Sequence, residues 1–277
     1  MATFEAGAGF RVSRRIKGER SARLQTRVAS YVLALSGPVC LLVLWWAASA
    51  NSWVSPQVLP RPDWVFNTFL DLLADGDIFS AAIVSFKRIA EGFLIGSSLG
   101  FAFGFLIGKS ETANAYLGPS FRALAAVPSL GWLPILILLF GIEESVKIII
   151  LSKACFVPMA ISTAEGARNV PKGFNEVADI LGLRTRTRFF KLTIPAMAPY
   201  IASGVRVSLS QAFVSLIVVE MLAGTDGLGY MMVWGRTLFQ LDIVIVGMVV
   251  VGVVGFLLDL LLKRAEALMR RESGANG

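Results

Sequence analysis

The sequence contains no histidine, only 2 cysteines and few charged residues. Without an imidazole side chain there can be no histidine metal ligand, no histidine proton relay and no Ser-His hydrolase. Charged residues make up 16% of the chain, whereas they make up about a quarter of a typical soluble domain. Cys40 and Cys155 both lie in apolar runs without metal-type spacing, and we expect both to be buried core thiols. We therefore expect no metal site and no catalytic residues.

Long apolar runs take the place of the missing polar residues. The 277 residues are 55% hydrophobic, and residues 31–50 and 123–142 carry no charge. Each run is about as long as the roughly 20 residues that a helix needs to cross the hydrocarbon core of a bilayer. We predict an all-α, polytopic membrane protein with six transmembrane helices. The predicted spans are residues 31–50, 83–108, 116–140, 146–163, 200–222 and 243–262.

Positive charge is unevenly distributed along the chain. The formal net charge is +7, and Lys and Arg concentrate in residues 1–28, in a central stretch over 168–191, and near the C-terminus. The acidic residues fall mostly between these segments, which is the asymmetry of the positive-inside rule. It predicts that both termini and loop 165–195 face the cytoplasm, and it argues against a nucleic-acid partner. The chain then divides into a basic N-terminal segment (1–28), a transmembrane domain (29–265) and a cytoplasmic tail (266–277).

The second predicted span carries a glycine at every fourth position. On a helix these glycines form one backbone-exposed stripe, which allows another helix to approach closely. We predict that the stripe packs against a neighbouring helix, and a direct place in a transport pathway is the alternative. The glycines are Gly92, Gly96, Gly100, Gly104 and Gly108.

Loop 165–195 has too regular a pattern to be a plain connection. Pro171 suits the start of a helix, and Gly182 suits its end. Between them, apolar residues recur along one helical face. These residues are Phe174, Val177, Ala178 and Leu181. A second short, basic helix with Phe189 and Phe190 follows. We predict a helix-turn-helix knob whose apolar face fits a groove on a partner; a helix lying on lipid headgroups is the alternative.

The same loop resembles the cytoplasmic signature loop of ABC importer permeases. That signature is written roughly as Glu-Ala-Ala, three residues, Gly, and a later Ile-x-Leu-Pro. The matching residues here are Glu176, Val177, Ala178, Gly182, Ile194 and Pro195. Val177 and Ile194 depart from the usual residues, but both stay apolar.

Three flanking segments extend the resemblance to most of the chain from about residue 55 onward. They begin at Val127 (VPSLGWLPILILLFGIEESVKI), Gly204 (GVRVSLSQAFVSLIVVEML) and Gly227 (GLGYMMVWGRTLFQLD). These segments resemble the branch of the family that imports aliphatic sulfonates, taurine, nitrate and related small anions.

The resemblance implies a permease subunit of an ATP-driven importer in the bacterial cytoplasmic (inner) membrane, without enzymatic activity of its own. A periplasmic or lipid-anchored solute-binding protein would deliver a small anion, and a second copy of the chain would complete a homodimer. ATP and Mg would bind a separate ATPase subunit, since this chain has no G-x-x-x-x-G-K-[ST] loop, and we expect no cofactor on the chain itself. The resemblance assigns ATPase coupling to Phe174, Glu176, Val177, Ala178, Leu181, Gly182, Ile194 and Pro195.

Ionisable residues inside the predicted spans suggest the pathway itself. Arg206 and Glu220 lie in the fifth span together with Gln211 and Ser215, and we predict that these four line the translocation path. Arg206 could instead pair with a carboxylate of another helix, and Lys153 in the fourth span raises the same question. Two other functions stay open: a self-contained secondary transporter of a small solute, and an intramembrane enzyme, for which the sequence offers no convincing catalytic set.

Overall fold

A computed structural model of the chain describes residues 36–51 and 53–272, and every regular element within them is helical. The predicted basic segment 1–28 lies outside the described residues, as do the start of the first predicted span and residues 273–277 of the predicted tail. The chain divides after Trp64 into two units.

The first unit contains one apolar helix, α1 (Ser36–Ala50). The chain after α1 turns back along it, and the Trp45 indole Nε1 donates to the Pro60 carbonyl at 3.1 Å. Most of α1 is exposed, including Cys40. The prediction that Cys40 is buried is therefore wrong. The physical reason is that an apolar helix of a membrane protein can face lipid and need not be covered by protein. Cys155 is buried, as predicted.

Ten further helices follow α1 in the described part of the chain. They are α2 (Pro62–Ala74), α3 (Asp77–Lys109), α4 (Glu111–Ala126), α5 (Leu133–Phe140), α6 (Glu144–Arg168), α7 (Lys172–Ile180), α8 (Thr185–Arg188), α9 (Ile194–Ala223), α10 (Leu228–Thr237) and α11 (Leu241–Glu272). A 3₁₀ turn (Ser129–Trp132) precedes α5, and a π-helical turn (Phe189–Thr193) joins α8 to α9.

Several of these helical stretches could cross a membrane. Four are long and apolar enough within the described residues: Asp77–Lys109, Glu144–Arg168, Thr185–Thr237 and Leu241–Arg264. A fifth exists if α4 and the segment Ser129–Phe140, which meet at 87°, form one broken span. The prediction of an all-α, polytopic membrane protein is confirmed, whereas the count of six spans and the side of each terminus stay predictions.

The bend between α4 and α5 has a local cause. Val127 is extended (φ −82°, ψ 119°), and Pro128 follows it. The Pro ring clashes with a helical conformation of the preceding residue, so a helix tends to end there. The predicted span 116–140 is thus two helices with an irregular turn between them.

The glycine stripe of α3 lies directly against α6. A Cβ at Gly100 would stand 2.6 Å from the Phe156 carbonyl oxygen, and one at Gly108 would stand 2.7 Å from that of Ala164. Gly96 and Gly104 meet the carbonyl oxygens of other α6 residues even more closely, and Gly92 meets Leu151. Only a residue without a side chain permits this approach of two backbones.

Helix α9 packs against both α6 and α3. The shared core joins Ile89 of α3, Leu151 and Cys155 of α6, and Ala212 and Leu216 of α9. All five side chains are buried. Because α3, α6 and α9 share this core, they hold one another in position, and this arrangement places the side chains of the sites described below.

Candidate functional site

The loop between α6 and α9 folds as α7, α8 and the π-helical turn, and we call residues 171–193 the knob. Gly182 follows the last turn of α7 and stops the helix there, with a left-handed φ of 59°. The Leu183 N–H donates to the Ala178 carbonyl (3.0 Å), and the Gly182 N–H donates to the Asp179 carbonyl (3.1 Å). This pair of bonds is the Schellman motif, in which glycine avoids the steric cost of a Cβ. The helix therefore ends where the sequence predicts an end.

Side-chain contacts join the two helices of the knob to each other and attach the knob to α3. Within the knob, Arg188 Nη1 lies 2.7 Å from Asp179 Oδ1, which joins α8 to α7. The Phe189 ring packs edge-on against the Phe105 ring of α3, with centroids 5.2 Å apart. The knob is thus attached to the helix that carries the glycine stripe, and a force on the knob would reach α3.

The knob presents apolar side chains to its surroundings. Ile180 is 84% exposed and Leu181 is 64% exposed, whereas Ala178 is buried. Among the other residues predicted for coupling, Glu176, Gly182 and Pro195 are exposed and Ile194 is half-buried, while the side chains of Phe174 and Val177 lie outside the described residues. Sequence reasoning missed Ile180, because it falls outside the predicted apolar face of α7.

A buried charge cluster forms where α3, α6, α9 and the start of α10 meet. Arg88 of α3 is 2% exposed and binds the carboxylates of Glu144, Glu220 and Asp226. Its Nη1 lies 2.8 Å from Glu220 Oε1, and its Nη2 lies 3.0 Å from Glu144 Oε2. Lys147 adds a second cation, 2.8 Å from Glu144. Sequence reasoning missed Arg88, although an arginine inside an apolar span is itself a signal.

Glu220 lies at the centre of this cluster and is fully buried. Ser85 Oγ lies 2.8 and 2.9 Å from its two oxygens, and the Gly229 N–H donates to Oε2 at 2.9 Å. The Leu228 N–H in turn donates to Ser85 Oγ at 3.0 Å. Both carboxylate oxygens are therefore engaged, and they fix the first residues of α10 against α3 and α9.

Arg206 lies elsewhere on α9 and binds α11. Its Nη1 lies 3.0 Å from Glu266 Oε2, and its Nη2 lies 3.5 Å from Asp259 Oδ1. Asp259 also pairs with Lys263 at 2.5 Å. These contacts agree with the alternative interpretation of Arg206, a link between helices.

Gln211 and Ser215 line a cavity of about 250 Å³ between α6, α9 and the bend after α4. The walls are mostly apolar, and Ser129 and Lys153 are the other polar side chains that line them. Lys153 Nζ donates to the Val127 carbonyl at 2.7 Å, at the bend. The cavity thus brings together two of the four predicted path residues with the lysine that the sequence left open.

A second cavity, of about 650 Å³, lies beside α10. Its lining includes the aromatic side chains Tyr230 and Trp234 and the carboxylates of Asp77 and Asp226, but no Lys or Arg. Because its lining offers an anion no basic side chain, this larger cavity suits an anionic solute less well than the smaller one.

Apolar helices long enough to cross a bilayer, a glycine-mediated helix contact and ion pairs within the helix bundle are together typical of a polytopic helical membrane protein. The chain belongs to the family of binding-protein-dependent transport system inner membrane components, which it matches over residues 92–271. It is an ABC transporter permease of the sulfonate, taurine and nitrate branch and a multi-pass protein of the cytoplasmic membrane. The family predicted from the signature loop and the branch predicted from the three flanking segments are confirmed.

Three relatives show the breadth of this branch. The chain is 35% identical over 229 residues to SsuC of Bacillus subtilis (strain 168), whose name describes an aliphatic sulfonates transport permease; 83% of each chain is covered. It is 29% identical over 264 residues to the taurine transport system permease protein TauC of Escherichia coli (strain K12), with 94% of this chain and 93% of TauC covered. It is 29% identical over 240 residues to the bicarbonate transport system permease protein CmpB of Synechococcus elongatus, with 82% of this chain and 85% of CmpB covered.

Proposed function

We propose that this permease carries a small oxyanion through the inner membrane, driven by a separate ATPase subunit that binds the knob. The observation that carries the proposal is the knob itself: a capped helix with Ile180 and Leu181 exposed at its end. A protein does not gain by exposing two large apolar side chains beside each other unless lipid or a partner covers them. An apolar helix end that fits a hydrophobic groove is a common mode of recognition.

The knob is also connected to three of the membrane helices, so that movement of the knob would move them. Helix α6 leads into the knob and α9 leads out of it, and residues of both helices line the small cavity. Phe189 adds the contact with α3. Movement of an ATPase groove would therefore act on three membrane helices at once. ATP and Mg would bind the ATPase, and this chain would need no cofactor.

The proposed solute follows from two observations. The three relatives are named for the transport of sulfonates, taurine and bicarbonate, each of which carries an oxyanion group. The small cavity contains a lysine and no carboxylate in its lining. We place Gln211 and Ser215 on the path and assign Arg206 and Glu220, which both bind residues of other helices, to holding those helices together.

Two further partners complete the proposal. A solute-binding protein outside the membrane would deliver the anion, in keeping with a binding-protein-dependent family. A second copy of the chain would supply the other half of the pathway, as a homodimer with one knob for each ATPase subunit.

The test is affinity purification of the full chain from its native host in mild detergent, followed by mass spectrometry of the co-eluting proteins. In Leu181→Glu, a charge replaces an exposed apolar side chain of the knob. Thr185→Glu is the matched control, because it adds the same charge at an exposed position of the same loop. We expect an ATPase subunit to co-elute with wild type and Thr185→Glu, and its yield with Leu181→Glu to fall about tenfold or more, the effect of losing one interface hot spot.

A different result would count against the proposal. If the chain elutes without an ATPase, a self-contained secondary transporter becomes the better account. If the ATPase co-elutes equally with all three proteins, it binds this permease at a surface other than the end of α7.

A further inference from the structure

We propose that Lys153, Gln211 and Ser215 form an anion-binding site inside the membrane, where the transported oxyanion is held during its passage. The nature of the ligand rests on the proposed function, but the site is inferred from its own charge balance and geometry. Neither the family match nor the names of the relatives point to these residues.

The charge of Lys153 is unbalanced, unlike that of the other basic residues deep in the spans. Arg88 binds three carboxylates, and Arg206 binds two. Lys153 has no salt bridge to any residue in the described part of the chain, and its only hydrogen bond there is to the Val127 carbonyl. A cation at membrane depth without a protein counterion marks a functional site whose missing partner is an anion.

Lys153 also keeps donors for a ligand. An ammonium group has three N–H donors, and one of them is used by the Val127 carbonyl. That bond holds Nζ at the bend between α4 and α5, at the edge of the cavity. The remaining donors are free to bind the oxygens of an anion.

The other polar groups of the cavity are also unpaired. Among residues 36–51 and 53–272, the side chains of Gln211 and Ser215 have no protein hydrogen-bond partner, and neither does Ser129. They offer an amide and two hydroxyl groups, all of which can donate to an oxyanion. The Trp132 ring, 5.8 Å from Nζ, adds a face that favours the cation there.

The size of the cavity limits the ligand. Cavities for drug-sized ligands measure about 300–1,000 Å³, and this one measures about 250 Å³. It therefore suits a solute of a few heavy atoms, with its charged end on Lys153 and an apolar end against Val157 or Val214. An alkylsulfonate has this shape, and a bulky or cationic solute does not.

Direct binding tests the proposal without knowledge of the natural substrate. The full-length permease in detergent is titrated with methanesulfonate against chloride at equal ionic strength, and the thermal unfolding temperature is followed by tryptophan emission. A ligand that binds only the folded protein raises that temperature as its concentration rises. We expect a methanesulfonate-dependent rise in wild type and in Lys153→Arg, which keeps the charge.

In Lys153→Met the side chain keeps its length and loses its charge. We expect its apparent affinity for methanesulfonate to be at least about tenfold weaker, as for the loss of a charge-assisted hydrogen bond. Lys109→Met is the matched control, because Lys109 is an exposed lysine at the end of α3, away from the cavity. It should bind as wild type does.

Two results would overturn the proposal: equal binding by wild type and Lys153→Met, or no methanesulfonate-specific shift in wild type. Co-elution of the ATPase subunit with Lys153→Met serves as the folding control. Because that co-elution tests the knob and the titration tests the cavity, failure of the anion site is distinguishable from failure of the proposed importer function.

Discussion

Arg88 draws its three carboxylate partners from separate parts of the chain: Glu144 at the start of α6, Glu220 in α9 and Asp226 before α10. A guanidinium group suits this place because its planar donors reach several acceptors at fixed angles. Glu220 is fully buried and has no other cation within hydrogen-bond distance among the described residues. Arg88 therefore contributes strongly to the stability of the connection between α9 and α10.

The replacement Arg88→Met should destabilise the folded permease strongly. Removal of one partner from a buried ion pair typically costs about 3–5 kcal/mol, because the other charge stays buried without compensation. The measurement is thermal unfolding in detergent. Lys87→Met is the matched control, since the neighbouring Lys87 side chain is 74% exposed and its contact with Glu91 is long, at 3.9 Å. Equal unfolding temperatures for the two variants would mean that the cluster contributes little to stability.

Lys153 differs from Arg88 in having no carboxylate partner among the described residues. Both are basic residues inside apolar spans, so the sequence alone treats them alike. The structure gives one of them three counterions and leaves the other beside a cavity with none in the described residues. That difference is why the first is assigned to stability and the second to ligand binding.

At the scale of elements, the contact of α3 with α6 depends on the missing side chains of the glycine stripe. A Cβ at Gly104 would overlap the Ala160 carbonyl oxygen, which is backbone and cannot rotate away. The two helices would have to separate along the whole stripe to accept it. The proximity of α3 to α6 also sets the position of Arg88 relative to Glu144.

The replacement Gly104→Ala should therefore destabilise the bundle, by about 1–3 kcal/mol, the usual cost of overpacking. Gly252→Ala is the control, because a Cβ at Gly252 of α11 meets nothing within 4 Å. It should be neutral or stabilise by up to about 1 kcal/mol, since alanine favours a helix more than glycine does. Thermal unfolding of both variants checks this, and a stable Gly104→Ala would show that α3 and α6 are able to move apart.

For the whole molecule, orientation in the membrane decides which partners can reach the knob. The basic loop and tail predict that the knob faces the cytoplasm and that the turn between α2 and α3 faces outward. The knob must be inside if an ATPase is to reach it. The buried charge cluster would then lie toward the outer face, since it joins the start of α6 to the end of α9.

Cysteine labelling of intact cells tests this orientation. In a Cys40→Ser background, Asp75→Cys should react with a membrane-impermeant maleimide, and Arg184→Cys should react only after the membrane is opened. Both positions are exposed in the structure. Cys155 is buried and should stay unlabelled in either case. The reverse pattern would place the knob outside and exclude a cytoplasmic ATPase as its partner.

Several features of this protein follow from local chemistry and can therefore be predicted from the sequence. Long uncharged runs must form membrane helices because each backbone group has to be paired within the bilayer. Gly182 ends α7 because a left-handed φ is cheap for glycine, and Pro128 breaks the chain after α4 because its ring excludes a helical neighbour. The signature residues from Glu176 to Pro195 were enough to indicate the family, since they lie within one short segment of the chain and their spacing can be read directly.

Which charges have partners depends on the packing of the helices and cannot be predicted from the sequence. Arg88 and Glu220 are 132 residues apart, and Arg206 and Glu266 are 60 residues apart. No spacing rule along one helix connects such pairs, because their contact depends on how α3, α6, α9 and α11 pack together. The same packing leaves Lys153 beside a cavity with Gln211. It thereby distinguishes Lys153, which we propose binds the ligand, from Arg88 and Arg206, which pair with carboxylates of other helices.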